Sequence, residues 1–211
     1  SGRGRRGRVW VSDVGNLYAS ALLVDPCEAA RLAELPFVAV VAAHRAVADH
    51  VPGSRERVKI KWPNDLLVDG AKVAGILLES TRLADGRCAV AVGIGINCKH
   101  APSGTEMPAT RLLACGAGVL PERLLDDLGA ALEAVLALWS RGDGFAEVRA
   151  EWLRHAGGIG APIRVRLVAG EERGVFEAID AAGRLILKTD DGGRKAISAG
   201  DVFFPANAGT E

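Results

Sequence analysis

Four arginines and three glycines alternate at the start of the chain, in Gly2-Arg3-Gly4-Arg5-Arg6-Gly7-Arg8. Glycine lets backbone N–H groups come close to a ligand, and each guanidinium can hold a carboxylate or phosphate through two parallel hydrogen bonds. Four like charges within seven residues serve no packing purpose, so an anionic ligand is expected to neutralise them. Composition alone favours a plainer reading, a solvated basic tail or a crude nucleic-acid patch. The charge distribution speaks against the second of these. Lys+Arg and Asp+Glu are both 26; removing the first eight residues takes away four Arg and no acid, which leaves the remainder at −4. Positive charge is therefore focused at one end and not spread over a polynucleotide-binding face.

Three further segments carry polar groups at places where ligands gather. In Lys61-Trp62-Pro63-Asn64-Asp65 the proline removes a backbone donor and halts a strand, and Asn64 and Asp65 then present an amide and a carboxylate at the strand end. Taken alone, Pro-Asn-Asp is ordinary turn chemistry. Lys72 enters the apolar strand Val73-Ala74-Gly75-Ile76-Leu77-Leu78-Glu79, and Gly75 leaves that strand bare where a ligand could lie against the backbone. Taken alone, such a lysine snorkels to solvent. Gly93-Ile94-Gly95-Ile96-Asn97 closes a further apolar strand with two glycines and an amide, a pattern equally open to a bulge and a turn. The opening segment also matches Gly-x-Gly-x-x-Gly. A dinucleotide fold needs a strand before that motif and a helix after it, whereas here a strand follows, and no kinase HRD or DFG segment is present.

The elements that must position these groups are legible from periodicity. Residues 9–12 and 17–24 read as strands joined by a turn at 13–16, and Pro26 opens a helical stretch. Residues 36–50 carry apolar positions at the spacing of an amphipathic helix. A strand at 58–62, a hairpin of 66–68 with 73–80 around Asp69-Gly70, and an interior strand at 88–97 follow. A proline-bearing loop spans 99–109, and helices span 121–140 and 145–155. Beyond Gly157-Gly158 the pattern changes to short strands at 163–168, 174–179, 185–188, 194–198 and 202–204, separated by Ala169-Gly170, Ala182-Gly183 and Asp191-Gly192. They read as a small barrel, with a domain boundary near residue 158, giving domains of 1–158 and 159–211.

Apolar residues at 49% supply ample core material. Cys27, Cys88, Cys98 and Cys115 show no metal-binding spacing and point to reduced thiols in a cytoplasmic protein. The longest apolar run is far too short to span a bilayer, so no membrane partner is expected.

Taken in order, GRGRRGR with Trp10, then KWPNDLL, KVAGILLE and GIGIN, resemble the catalytic domain of the biotin protein ligases. The likeness in motifs runs from Gly2 to about Asn97 and continues more loosely into the terminal strands, which resemble the SH3-like domain of that family. The resemblance implies an α+β fold: a mixed β-sheet flanked by helices, like the catalytic domain of class II aminoacyl-tRNA synthetases, with a small C-terminal SH3-like β-barrel. It implies ATP and biotin as substrates with Mg²⁺, a biotin carboxyl carrier protein such as an acetyl-CoA carboxylase subunit as partner, and a possible homodimer through edge strands. Arg3, Gly4, Arg5, Lys72 and Gly75 would then meet biotin, with Lys72 and Arg5 as the catalytic cations. Arg6, Arg8, Trp10, Asn64, Asp65 and Asn97 would lie at the nucleotide, with Asp65 able to hold Mg²⁺. The family's upstream strand and its Ser/Thr-Thr-Asn-type segment do not occur in the sequence, nor does the helix-turn-helix of members that double as repressors, so no DNA-binding duty is expected. Two alternatives stand beside this reading. One is a lipoate or octanoyl ligase on the same fold; the other is an RNA-binding module that uses the Arg-Gly segment.

Overall fold

The computed structural model describes residues 2–4, 9–10 and 12–204, with backbone alone at 2, 3, 9 and 10. Arg5, Arg6 and Arg8 lie outside the described residues, and Arg3 and Trp10 enter only as backbone.

Strands β1 (Gly2–Arg3) and β2 (Val9–Trp10) pair antiparallel, with Gly2 opposite Trp10 and Arg3 opposite Val9. The strand expected at 9–12 therefore pairs with the start of the chain and not with β3 (Leu17–Val24). Pro26 does not open an α-helix; the chain forms a 3-10 turn over Ala29–Glu34 that runs into α1 (Leu35–Ala48), with Pro36 in the first turn of that helix. A short α2 (Ser54–Arg57) leads to β4 (Val58–Lys61), β5 (Asp65–Val68), β6 (Ala71–Arg82) and β7 (Cys88–Ile96). Helices α3 (Pro121–Trp139) and α4 (Phe145–His155) follow.

The first large sheet has the order β3-β7-β6-β5-β4. The α+β class is as expected, but the sheet is not mixed: each of its ladders is antiparallel. Short connections favour this between β4, β5, β6 and β7, the two-residue loop between β5 and β6 being able to join only antiparallel neighbours. Asp69 and Gly70, both at positive φ (51° and 80°), supply the turn between β5 and β6. Alternation along the strands gives the sheet two faces. Val58, Ile60, Leu66, Ala74, Ile76, Val92, Ile94 and Ile96 are buried and point to the helices.

Helix α1 was expected to be amphipathic, yet it is buried on almost every side, from Leu35 through Val47. It lies between the sheet and α3 with α4, so it has no solvent face to keep polar. The second large sheet has the order β11-β10-β9-β8-β12, built from β8 (Pro162–Arg166), β9 (Glu171–Ile179), β10 (Leu185–Lys188), β11 (Arg194–Ile197) and β12 (Asp201–Phe203). No ladder joins β11 to β12 among the described residues, so the expected barrel takes the form of a five-stranded antiparallel sheet with its last strand returning beside its first.

This terminal sheet is packed against the helices. Trp152 of α4 sits between Phe37 of α1 and Phe176 of β9, at ring distances of 5.7 and 6.5 Å. Trp62 Nε1 donates to the Gly183 carbonyl at 3.0 Å, and the Arg149 guanidinium donates to the carbonyls of Ile179 and Asp180.

Candidate functional site

The side chains of interest lie on the sheet face turned away from the helices. One register row crosses all five strands: Tyr18 opposes Gly95, Gly95 opposes Gly75, Gly75 opposes Asp65, and Asp65 opposes Lys61. The middle of the row carries no side chains, and Gly93 on the same face of β7 widens the bare strip. Two adjacent glycines on neighbouring strands open a shallow trough in which a ligand can rest on backbone. Tyr18 walls it on one side, and the Asp65 and Lys61 pair walls it on the other.

Lys72 reaches this face because of a defect in the ladder. Residues 72 and 75 are three apart, so a regular strand would point them to opposite faces. The register between β5 and β6 shifts between Leu66 and Leu67: Leu66 opposes Ala74, while Leu67 opposes Lys72. That bulge takes up Val73 and turns Lys72 onto the face that Gly75 occupies. The Lys72 ammonium lies 2.6 Å from Asp65 Oδ1, both side chains being roughly three-quarters buried. Asp65 therefore holds the lysine beside the trough.

The backbone of Lys72 is clamped too. Its N–H donates to the Pro108 carbonyl at 2.8 Å, and its carbonyl accepts from the Thr110 N–H at 2.8 Å. The proline-bearing loop expected from the sequence thus ends as a segment laid along Lys72. Asn97 holds the same segment from the other side: its Nδ2 donates to the Thr110 carbonyl at 3.0 Å, and its N–H donates to the Val73 carbonyl at 2.8 Å. Asn64, beyond the cis Trp62-Pro63 bond, is locked to β6 in the same manner. Its carbonyl accepts from the Ile76 N–H at 3.1 Å, and its side-chain amide donates to the Ile76 carbonyl. Both asparagines are buried, at 7% and 3% exposure for Asn64 and Asn97, so their amides are engaged with backbone next to Gly75 and Lys72.

Lys61 belongs to the site although the sequence reading assigned it no role. It is 3% exposed, its Nζ lies 2.5 Å from Met107 Sδ, and the ammonium sits 5.7 Å from the centre of the Phe203 ring. Its signal was present in the alternation of β4, which places it opposite Asp65. Of the residues expected at the site, the structure brings together Asp65, Lys72 and Gly75, with Asn64 and Asn97 behind them.

Within the described residues, no group of three or more His, Cys, Asp or Glu gathers to hold a metal. Asp65 is a single carboxylate with one oxygen on Lys72. Among the described residues of the site, none is built as a protein nucleophile. Burial pushes the Cys27 and Cys98 thiols up, which keeps them protonated. His50 is paired with Asp127 at 2.8 Å, and His44 is stacked on His155. The chemistry this face supports is charge cancellation: a bare strip of backbone flanked by cations, suited to holding an anion in place.

Comparison with known proteins agrees in sequence and in fold. A model of the Biotin/lipoate A/B protein ligase family matches residues 1–97, and one of the Biotin protein ligase C terminal domain matches residues 158–204. The chain is 42% identical to the biotin--[acetyl-CoA-carboxylase] ligase of Paracoccus denitrificans, over 97% of this chain and 86% of that protein. It is 31% identical to the bifunctional ligase/repressor BirA of Bacillus subtilis (strain 168), over 94% of this chain and 62% of that protein. Among solved structures, the biotin protein ligase from Aquifex aeolicus in complex with biotin and ATP superposes with a TM-score of 0.79 at 26% identity, covering 96% of this chain and 84% of that one.

Proposed function

The chain belongs to the biotin/lipoate A/B protein ligase family, and on that premise we propose that it activates biotin with ATP and transfers it to a carrier protein. A biotin carboxylate oxygen attacks the α-phosphorus of ATP; the bond to the β-phosphate oxygen breaks, and pyrophosphate leaves. The product is biotinyl-5′-AMP. A lysine amine of a biotin carboxyl carrier protein then attacks the acyl carbon, AMP leaves, and the nitrogen gives up its proton.

The observation that carries this reading is the bulge in β6 that turns Lys72 onto the face of the Gly75–Gly95 trough. Both substrates of the first step are anions, so the protein's task is to cancel their repulsion and hold them in line. In the proposal Lys72, Gly75, Arg3, Gly4 and Arg5 take the biotin end. Arg6, Arg8 and Trp10 take the nucleotide, with Asp65 at its phosphates. Asn64 and Asn97 serve the nucleotide end through the backbone they hold. Mg²⁺ would neutralise phosphate charge, held by the nucleotide and water with Asp65 as its protein ligand, a donor set this hard cation accepts. Asp65 meanwhile keeps Lys72 in register.

The carrier is proposed to be an acetyl-CoA carboxylase subunit, as the Paracoccus relative's name states for that protein. No helix among the described residues is long and apolar enough to cross a membrane, and four free cysteines suit the reducing cytoplasm in which we place the reaction. Self-association is proposed along β3, an edge strand on which Leu22 is 69% exposed; sedimentation at rising concentration tests it.

Biotin-dependent ATP–pyrophosphate exchange tests the central proposal. Lys72→Ala and Arg5→Ala are each expected to lower it by roughly 10²- to 10³-fold with the fold intact. Near-normal exchange in both variants overturns the site assignment. AMP formation with lipoate and not with biotin would move the chain to the sister activity.

A further inference from the structure

We infer that Arg166, on the terminal sheet, is a positioning residue for Lys72, acting through Glu106 and the segment that ends at Thr110. This rests on the role proposed above for Lys72. The contacts form a continuous chain. Arg166 of β8 grips Glu106 with two hydrogen bonds, Nη1 to Oε2 at 3.0 Å and Nη2 to Oε1. The guanidinium carbon lies over the Phe203 ring, 4.7 Å from its centre, a cation–π contact that holds the head group in place. The next residue, Met107, has its sulfur on the buried Lys61 ammonium and its carbonyl accepting from Thr105 Oγ1 at 2.6 Å. The next two steps reach the backbone of Lys72, through the Pro108 carbonyl and the Thr110 N–H, each at 2.8 Å.

Each link is local, and together they connect the terminal sheet to the site. The loop between β7 and α3 has no ladder of its own beyond the bridge of Ala109 to Lys72. Besides the Lys72 backbone and Asn16, which holds Lys99 and His100, its course is fixed by Arg166, Lys61 and Asn97. Lys61 lies in β4 and Asn97 directly follows β7. Arg166 is the anchor supplied from the terminal sheet, and it gives that sheet a part in the adenylation step distinct from packing. Glu106 and Arg166 are partly exposed, so the anchor weakens as salt rises. An exposed bidentate pair shifts a local opening equilibrium by up to about fivefold.

Amide hydrogen exchange on the whole protein tests the inference without reference to activity. Glu106→Gln and Arg166→Gln are each expected to speed exchange at Lys72 and Thr110 about three- to fivefold, with the β9–β10 amides unchanged. The charge-swapped double variant, Glu106→Arg with Arg166→Glu, is expected to restore protection. The turnover number for pyrophosphate exchange should fall with protection and recover in the swap, while KM for biotin stays within about twofold. Unchanged protection at Lys72 and Thr110 in both single variants overturns the inference, as does lost protection with an unaltered turnover number. Absence of biotin-dependent exchange in the wild-type protein would instead overturn the functional reading and leave the exchange data to decide the anchor by themselves.

Discussion

Acid should loosen this protein through one buried histidine, and a single substitution should remove much of that sensitivity. His44 of α1 is 5% exposed, its ring stacks on that of His155 at 3.9 Å and 28°, and its Nε2 has no partner among the described residues. Burial first, and the charge of His155 second, push its pKa down to about 4 from 6.5. The folded state therefore stays neutral at a pH where the unfolded chain already binds a proton. Stability rises with pH through this window: the contribution is fully present above 6.5 and is lost as pH falls toward 4. At about 1.4 kcal/mol per pH unit, the gap between the two values comes to roughly 3 kcal/mol. His155 is displaced in the same direction, again by burial, and steepens the slope. His44→Phe keeps a ring over His155 and removes the titrating nitrogen. Urea unfolding followed by tryptophan fluorescence at pH 4.5, 5.5, 6.5 and 7.5 reads the outcome. The wild-type protein should lose about 2.5 kcal/mol more than His44→Phe between pH 7.5 and 4.5. Parallel stability curves, differing by less than about 0.5 kcal/mol over that range, would refute the account of a buried neutral histidine.

Three further substitutions probe the scaffold. Asn97→Ala removes the donor to the Thr110 carbonyl and leaves that part-buried oxygen without it, so unfolding free energy should drop by about 1 kcal/mol in urea titration, with exchange activity falling because the segment along Lys72 is released. Gly183→Ala would place a Cβ 2.6 Å from the Phe37 ring at a φ of +77°, where Phe37 is held by Phe145 and Trp152. Thermal melts should show a loss of roughly 2–4 kcal/mol. Gly192→Ala, at a φ of +83° with nothing within 4 Å, should cost only about 1 kcal/mol from backbone strain.

Much of the fold was legible because its signals are local. The Asp69-Gly70 turn, the alternation of β6 and the long α3 pattern need only a few neighbouring residues to declare themselves, and each formed within a few positions of expectation. The misreadings arose where a distant partner decides. Residues 9–10 look like the first strand of a hairpin with 17–24, yet they pair with Gly2–Arg3. The apolar stripe of α1 looks one-sided, but α3 and α4 cover its other flank. Lys61 draws no attention in the sequence. Its burial depends on Met107 and Phe203, 46 and 142 positions further along the chain.

For the site, the chain's residue order by itself determined which chemistry is on hand: arginines among glycines at the start, a lysine entering a bare strand, and an asparagine and aspartate at a strand end. Those are properties of side chains and of short-range backbone preference, and they survive without knowledge of the fold. Tertiary structure decided which of them face one another. A one-residue slip in the β5–β6 ladder sets the face of Lys72, and the burial of Asn64 and Asn97 commits their amides to backbone. The first outcome is a matter of register within one hairpin, and the second of contacts 12 and 13 positions along the chain; neither is written in the residue types themselves. The register of such a ladder is settled by the core it covers, because a shift of one residue would turn every apolar side chain of the strand toward water.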